Sequence, residues 1–296
     1  MAILNEGDLV RFVSPASTPE TAGVERRAEM LKSWGLRVEI ATHAFDKFSY
    51  LAGTDDDRLS DLEDALLDRD VRAVFATRGG KGSYRIAHRL AFDRIRLDPK
   101  PLIGFSDITL LHLVLFRECA AIGVHGALKC DADENLSGGA AASLHALLMG
   151  NDRHLVHSDA TLPSAALSTS GRANGPLVGG NLDMIATAAG WALPSLRGAI
   201  LLIESAGLGI GQFDRALTML TRAGHFDGVA GIAIGHITGT PANPPLDAIE
   251  LLRQHLCRFG VPVLGGLPIG HDADARAVLI GAPTEIDATA GVLMQQ

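Results

Sequence analysis

Pro101-Leu-Ile-Gly-Phe-Ser-Asp-Ile-Thr-Leu-Leu-His-Leu-Val-Leu-Phe116 reads as a short apolar strand that turns at Gly104-Phe105-Ser106-Asp107 straight into a strongly apolar helix. The same strand-to-helix step recurs toward the N-terminus. Asp8 to Val13 reads as a strand closed by Ser14-Pro15-Ala16-Ser17. Helical spacing from about Pro19 to Trp34 follows and stops at Gly35, a natural C′ residue. Leu36 to Ile40 is a second strand. A helix near Arg58 to Asp68 comes after the acidic run Asp55-Asp56-Asp57. Val71 to Ala76 is a third strand, and Thr77-Arg-Gly-Gly-Lys-Gly-Ser83 is a glycine-rich loop opening another helix. Leu102 to Phe105 closes the series. Strands alternating with helices through short links predict an α/β unit with a parallel sheet covered on both faces. In such sheets ligands gather beyond the carboxyl ends of the strands, where Arg78-Gly79-Gly80 and Ser106 both lie.

The second half has a different texture. From about Lys129 to Asn174 the chain is polar, rich in Ala, Gly and Ser, and weakly periodic, with one helix near Ala140 to Met149. Asn174 to Asp183 is a glycine-dense turn opening a helix. Ala199 to Ile203 is a buried strand ending in Glu204. Val229 to Ile234 and Val261 to Leu264 are further strands, and Val278 to Ile280 and Glu285 to Asp287 are short late ones. A second α/β unit with several short strands is expected.

Composition narrows the function. The chain has 296 residues, 47% hydrophobic and 20% charged, with a formal net charge of −8 and no basic stripe. That pattern argues against nucleic acid or an anionic membrane surface as a partner. The three cysteines, Cys119, Cys130 and Cys257, are odd in number and lack metal-ligand spacing, as suits thiols in a reducing compartment. With no signal-peptide pattern and no run of about 18 apolar residues, a soluble cytoplasmic protein is expected.

Three chemistries compete for the motifs. The glycine loops suggest a nucleotide site. Arg78 to Ser83 lacks G-x-G-x-x-G spacing, however, Gly207-Leu-Gly-Ile-Gly211 also misses it, and no Walker sequence occurs. A metal centre would need clustered histidines and carboxylates. The 11 histidines include no H-E-x-x-H and no pair four apart on a helix, so no metal and no cofactor is expected. Nucleophilic catalysis needs a hydroxyl, a base to take its proton and an acid to orient that base. Taken alone, Ser106 reads first as a helix cap; it also suits the first role, since the start of a helix favours developing negative charge. His271 and His236 each follow an apolar-Gly step and are alternative bases. Glu204, at the end of an apolar strand, is the acid, or else the partner of a nearby backbone group or arginine.

Taken together, Val13-Ser-Pro-Ala-Ser17, Ala76-Thr-Arg-Gly-Gly-Lys-Gly-Ser83, Gly104-Phe-Ser-Asp-Ile-Thr109, His125-Gly126, Gly175-Pro-Leu-Val-Gly-Gly-Asn-Leu182, Leu201-Leu-Ile-Glu204 and Gly265-Gly-Leu-Pro-Ile-Gly-His271 resemble the LD-carboxypeptidase family of serine peptidases. That family also contains the microcin C self-immunity peptidases. The resemblance implies a Rossmann-like N-terminal domain over 1–130 carrying the nucleophile, a connector over 131–173, and a smaller C-terminal domain over 174–296. It implies Ser106, Glu204 and His271 as the triad, with His236 structural or peripheral. Backbone N–H groups of Gly80 and Asp107 would form the oxyanion hole. Arg78 would pair with a substrate carboxylate or serve as a structural ion-pair partner, and Asn181 would bind substrate or tie down its own turn. A homodimer acting on a small peptide or peptide conjugate follows. Lys81 stands where relatives commonly have an aromatic residue, Ser205 where they have Asp, and Ala127 where they have Pro. Asp272-Ala-Asp274 is unusually acidic. These departures border the cleft. They leave the substrate open between a muropeptide with an L,D bond and a microcin-like aminoacyl-nucleotide conjugate. A nucleotide-dependent oxidoreductase or transferase and a non-catalytic binding protein are the readings from other classes.

Overall fold

Strand and helix alternate through the first 126 residues in the predicted order. The computed structural model describes residues 2–126, 138–241 and 246–295; Cys130, Ala127 and the first part of the expected connector lie outside the described residues. The elements are β1 (Leu9–Val13), α1 (Thr21–Ser33), β2 (Arg37–Ile40), α2 (Asp55–Leu67), β3 (Val71–Ala76), α3 (Ser83–Ile86), α4 (Phe92–Ile95), β4 (Leu102–Gly104), α5 (Thr109–Cys119) and β5 (Gly123–His125). Local chemistry sets their ends. Gly35 takes φ +84 just beyond α1, a conformation that Gly adopts without a Cβ penalty. The helix α2 starts three residues earlier than its apolar pattern suggests, because Thr54 and Asp57 form a reciprocal capping box.

The second half comprises α6 (Gly138–Met149), β6 (His154–His157), β7 (Arg172–Asn181), α7 (Leu182–Ala188), β8 (Ile200–Ala206), α8 (Ile210–Arg222), β9 (Gly231–Thr238), α9 (Ala248–Leu256), β10 (Val263–Leu264), β11 (Val278–Ile280), β12 (Pro283–Asp287) and β13 (Val292–Gln295). Several expectations are corrected here. The glycine-dense segment around 174–183 is a ten-residue strand, β7, before it opens α7. Glu204 lies inside β8, which continues to Ala206. While β10 and β12 are short, β7, β8 and β9 are long.

Two sheets result. The first has the order β11-β5-β4-β3-β1-β2, and β1 to β5 are mutually parallel. The series therefore does not close at Leu102–Phe105. It continues to β5 and then gains β11, antiparallel to β5, from far along the chain. The parallel order 2-1-3-4-5 is that of a doubly wound fold whose switch point falls between β1 and β3. The second sheet runs β10-β9-β8-β7-β12-β13-β6, parallel from β10 to β7 and antiparallel beyond.

The helix α5 joins the two units. It is apolar on nearly every face, and Thr109 through Leu115 are all buried, as expected of a helix enclosed on all sides. One hydrophobic cluster runs from Val74 and Leu102 of the first sheet through Leu110 and Leu113 of α5. It continues to Ile185 of α7 and Leu201 of β8. That shared core brings the carboxyl end of β4 close to that of β8, since His125, the register partner of Gly104, lies 3.9 Å from Glu204.

Candidate active site

At the switch point a pocket of about 340 Å³ opens. Its walls include Phe12 and Thr77 at the ends of β1 and β3, the Arg78-Gly79-Gly80 loop, Ser106 and, from the other unit, His271. Ser106 is separated from the end of β4 by Phe105 alone and has φ +63. A left-handed non-glycine residue is uncommon and marks an enforced turn. The helix-cap reading of Ser106 is corrected: Phe105 holds the cap position, and no side-chain cap bond is made at this turn.

Three residues, Asp107, Arg58 and Ser17, brace the loop beside Ser106. Asp107 is buried, its Oδ2 accepts the Ser83 N–H at 2.8 Å, and its carbonyl accepts the Ser83 hydroxyl at 2.8 Å. Burial pushes the Asp107 carboxyl above its ordinary pKa, against the Ser83 and Gly82 hydrogen bonds. Arg58 is wholly buried, ion-paired with Asp55, and donates to the carbonyls of Pro15 at 2.5 Å and Gly82 at 3.0 Å. Ser17 Oγ accepts the Lys81 N–H at 3.1 Å. Gly79 then packs on the turn so tightly that a Cβ there would stand 2.8 Å from Ser106 Cβ. Gly80, at φ +103, keeps its N–H out of any hydrogen bond among the described residues. Asp107 sits in the first turn, where amides have no intrahelical partner.

From the second sheet come Glu204 and His271. Glu204 is 0% exposed, and its Oε2 lies 2.7 Å from His271 Nδ1. With Nδ1–H donating to the carboxylate, Nε2 keeps its lone pair free to accept a proton. Two glycines make room for the pair. A Cβ on Gly270, at φ +123, would stand 2.8 Å from Glu204 Oε2, and one on Gly235 would stand 3.2 Å from Glu204 Cβ. Phe105 lies against the His271 ring at 4.7 Å between centroids. Among the described residues no hydrogen bond joins Ser106 to His271, though both line the same pocket.

The alternative histidine, His236, is buried and makes no contact with Glu204 of the kind His271 makes; its Nε2 has no partner among the described residues, and burial lowers its pKa. Arg78 is exposed at the pocket wall, with one long contact to the Thr18 carbonyl at 3.4 Å. Asn181 is Glu204's register partner across β7 and β8; its N–H reaches Thr109 Oγ1 at 3.1 Å, and it does not line the pocket. Lys81 is exposed, as are Asp272 and Asp274. Gly207-x-Gly209-x-Gly211 serves as the turn into α8.

Two features escaped the sequence reading. Arg27, buried at the pocket wall, donates to the Thr77 and Gly23 carbonyls. Its signal was an arginine on the apolar face of α1. The second is His43, Asp46 and Asp57, whose ligand atoms lie within 4.8 Å of one another. His43 Nδ1 already meets Asp46 at 2.8 Å, while Asp57 caps α2, so fold chemistry accounts for the group. None of the three lines the pocket.

Comparison with known proteins agrees with this layout. Residues 10–126 match the LD-carboxypeptidase N-terminal domain and residues 174–286 the LD-carboxypeptidase C-terminal domain. A putative carboxypeptidase of Streptomyces coelicolor is 34% identical over 99% of this chain and 94% of its own. A probable murein peptide carboxypeptidase of Bacillus subtilis is 32% identical over 94% and 88%. The structure of the microcin C7 self immunity protein MccF in complex with aspartyl sulfamoyl adenosine superposes with a TM-score of 0.87 at 23% identity, covering 100% of this chain and 97% of that one. A braced serine turn, a buried glutamate-histidine pair across the same pocket, and both domain matches place the chain in the LD-carboxypeptidase family, as a serine-type carboxypeptidase.

Proposed function

We propose that the chain hydrolyses the L,D amide bond near the C-terminus of a muropeptide, with Ser106 as nucleophile, His271 as base and Glu204 as its orienting acid. The observation that carries this reading is the 2.7 Å contact of His271 with a wholly buried carboxylate, across a pocket that also exposes Ser106. Ser106 Oγ attacks the substrate carbonyl while His271 Nε2 takes its proton, and Glu204 stabilises the imidazolium. The tetrahedral oxyanion faces the backbone N–H groups of Gly80 and Asp107, donors of a kind worth about 3 kcal/mol each in the transition state. As the C–N bond breaks, His271 returns its proton to the departing amino acid. Water then attacks the acyl-enzyme with His271 again as base, and Ser106 recovers its proton. The N-terminal part thus supplies the nucleophile and the part beyond residue 174 the acid-base pair.

A carboxypeptidase substrate carries a terminal carboxylate, and Arg78 at the exposed pocket wall is placed to meet it. Asn181, behind the pocket, would act on Glu204's strand more than on substrate. The murein peptide relative at 32% identity supports the muropeptide over the aminoacyl-nucleotide conjugate, since the microcin-immunity likeness lies in the fold. Cytoplasmic homodimers belong to the same reading, and light scattering of the purified chain tests the dimer. The decisive experiment is mass spectrometry of an L,D-tetrapeptide and of an aminoacyl sulfamoyl-adenosine incubated with wild type and Ser106→Ala. Wild type should release the terminal amino acid from the tetrapeptide, and Ser106→Ala should be slower by roughly 10⁴-fold or more. Cleavage of the adenosine conjugate alone would replace the muropeptide with the microcin-like substrate, and an unimpaired Ser106→Ala would remove Ser106 as nucleophile.

A further inference from the structure

His125 closes the short strand β5 and is 1% exposed. Neither of its ring nitrogens has a hydrogen-bond partner among the described residues, and the same is true of Glu204 Oε1. These two orphans lie near each other: His125 Nε2 is 3.9 Å from Glu204 Oε1, the oxygen that His271 leaves free. Leaving a buried donor and a buried acceptor both unmade is expensive, so such groups find partners. Phe105 packs edge-on against the His125 ring at 6.2 Å and also against His271, so one aromatic side chain braces both imidazoles. Gly180, at φ +133, passes so close that a Cβ there would stand 3.0 Å from His125 Nδ1.

We infer that His125 is a positioning residue of the hydrolytic site, whose Nε2–H closes onto Glu204 Oε1 and fixes the carboxylate that orients His271. This rests on the proposed catalytic role of Glu204 and His271. The glutamate is then held at both oxygens, by a neutral donor on one side and by the base on the other. Neutrality matters, because a cation at His125 would compete with His271 for the carboxylate's charge. Burial lowers the His125 pKa to about 4, which keeps the ring uncharged in the working range. The titratable groups around this line are His271 and Glu204 themselves, His112 on α5 behind His125, and His236 on β9. Asp159 and Asp272 face His236 in turn.

A donor to Oε1 stabilises the proton-poor, anionic form of the Glu204–His271 pair. Without it the pair takes up its proton at higher pH. The test compares wild type, His125→Phe, His125→Gln and Glu204→Gln on the L,D-tetrapeptide across the acid limb of the pH profile. In His125→Phe, kcat should fall about tenfold or more, the equivalent of one hydrogen bond to a charged group. KM should stay near the wild-type value, and the acid limb should move to higher pH. His125→Gln, which returns an N–H, should recover most of the rate and restore the limb. A rate loss with the limb unmoved, a Gln variant no better than Phe, or a fully active Phe variant would each overturn the inference. Full activity in Glu204→Gln would instead sink the catalytic pair itself. If the Phe variant fails to fold, imidazole nitrogen NMR of the wild-type chain decides: a proton on His125 Nε2 supports the inference, and a proton on Nδ1 with bare Nε2 refutes it.

Discussion

Ser106 holds a left-handed backbone, φ +63, that serves its hydroxyl and costs the fold. For a residue with a Cβ that region is unfavourable by about 1–2 kcal/mol. The turn persists because β4 ends at Gly104 and the buried α5 begins at Thr109, so the chain must reverse its direction within four residues. The result is a hydroxyl facing the pocket with no hydrogen bond of its own among the described residues. Two inactive variants separate the hydroxyl from the strain. Both Ser106→Ala and Ser106→Gly lose the nucleophile, but only Gly relieves the backbone. Ser106→Gly should therefore be the more stable of the two by about 1 kcal/mol, measured as the difference in urea midpoints. Equal midpoints would show that no strain is stored at the nucleophile.

At the scale of elements, the loop between β3 and α3 is a rigid wall. Arg58 grips its Gly82 carbonyl, Asp107 grips Ser83, and Ser17 grips Lys81. A Cβ added at Gly79 would lie 2.8 Å from Ser106 Cβ and 3.1 Å from the Phe105 carbonyl. With the loop tied at three points, the serine turn has to yield. Gly79→Ala should leave the chain folded at an overpacking penalty of about 1–3 kcal/mol, yet reduce kcat by roughly a hundredfold, as expected for a nucleophile misplaced by about 1 Å. A wild-type kcat would show that the loop gives way. This wall also shows what sequence could and could not reveal. Strong alternation and Gly35, Thr77-Arg-Gly-Gly and Gly104-Phe-Ser made β1 to β4 legible, because local propensity and packing agree there. Gly175, Gly179 and Gly180 hid β7, since glycine weakens a strand on its own; here each marks a close approach, to Gly198, Leu202 or Thr109. β6, the edge strand, and β13, paired between β12 and β6, are only four residues each, too short for a periodic pattern to register. Val278–Ile280 did register as a strand, but no periodicity states which sheet a strand joins. His271 and His236 follow near-identical local patterns, and only the tertiary position of Glu204 separates them.

At the scale of the whole molecule, the buried histidines of the first unit are where pH should act. His112 on α5 is buried within the first unit against Leu102 of β4 and Gly123 of β5, and His125 on β5 is buried beside Glu204 of the second. His112 holds the Leu102 carbonyl through Nε2 at 3.0 Å, and burial takes its pKa to about 3; for His125 the value is about 4. Both lie below the unfolded value of 6.5. The unfolded chain therefore binds more protons than the native one as pH falls, and stability falls with it. Their contribution is complete above pH 6.5 and is lost progressively down to about 4 for His125 and about 3 for His112. Each ring charged only in the unfolded state adds a slope of about 1.4 kcal/mol per pH unit. Asp61 and Asp107 oppose this trend, since burial raises their pKa and the native state holds their protons more tightly. The absolute profile is thus a balance, and the useful quantity is a difference between variants. His112→Leu removes one ring from both states, so its unfolding free energy between pH 6 and pH 5 should decline less steeply than wild type by about 1.4 kcal/mol per unit. Urea denaturation at several pH values, with the m-value checked for constancy, measures that slope. Parallel curves would mean that His112 does not stay neutral in the native state, and that α5 packs on β4 and β5 around a charge.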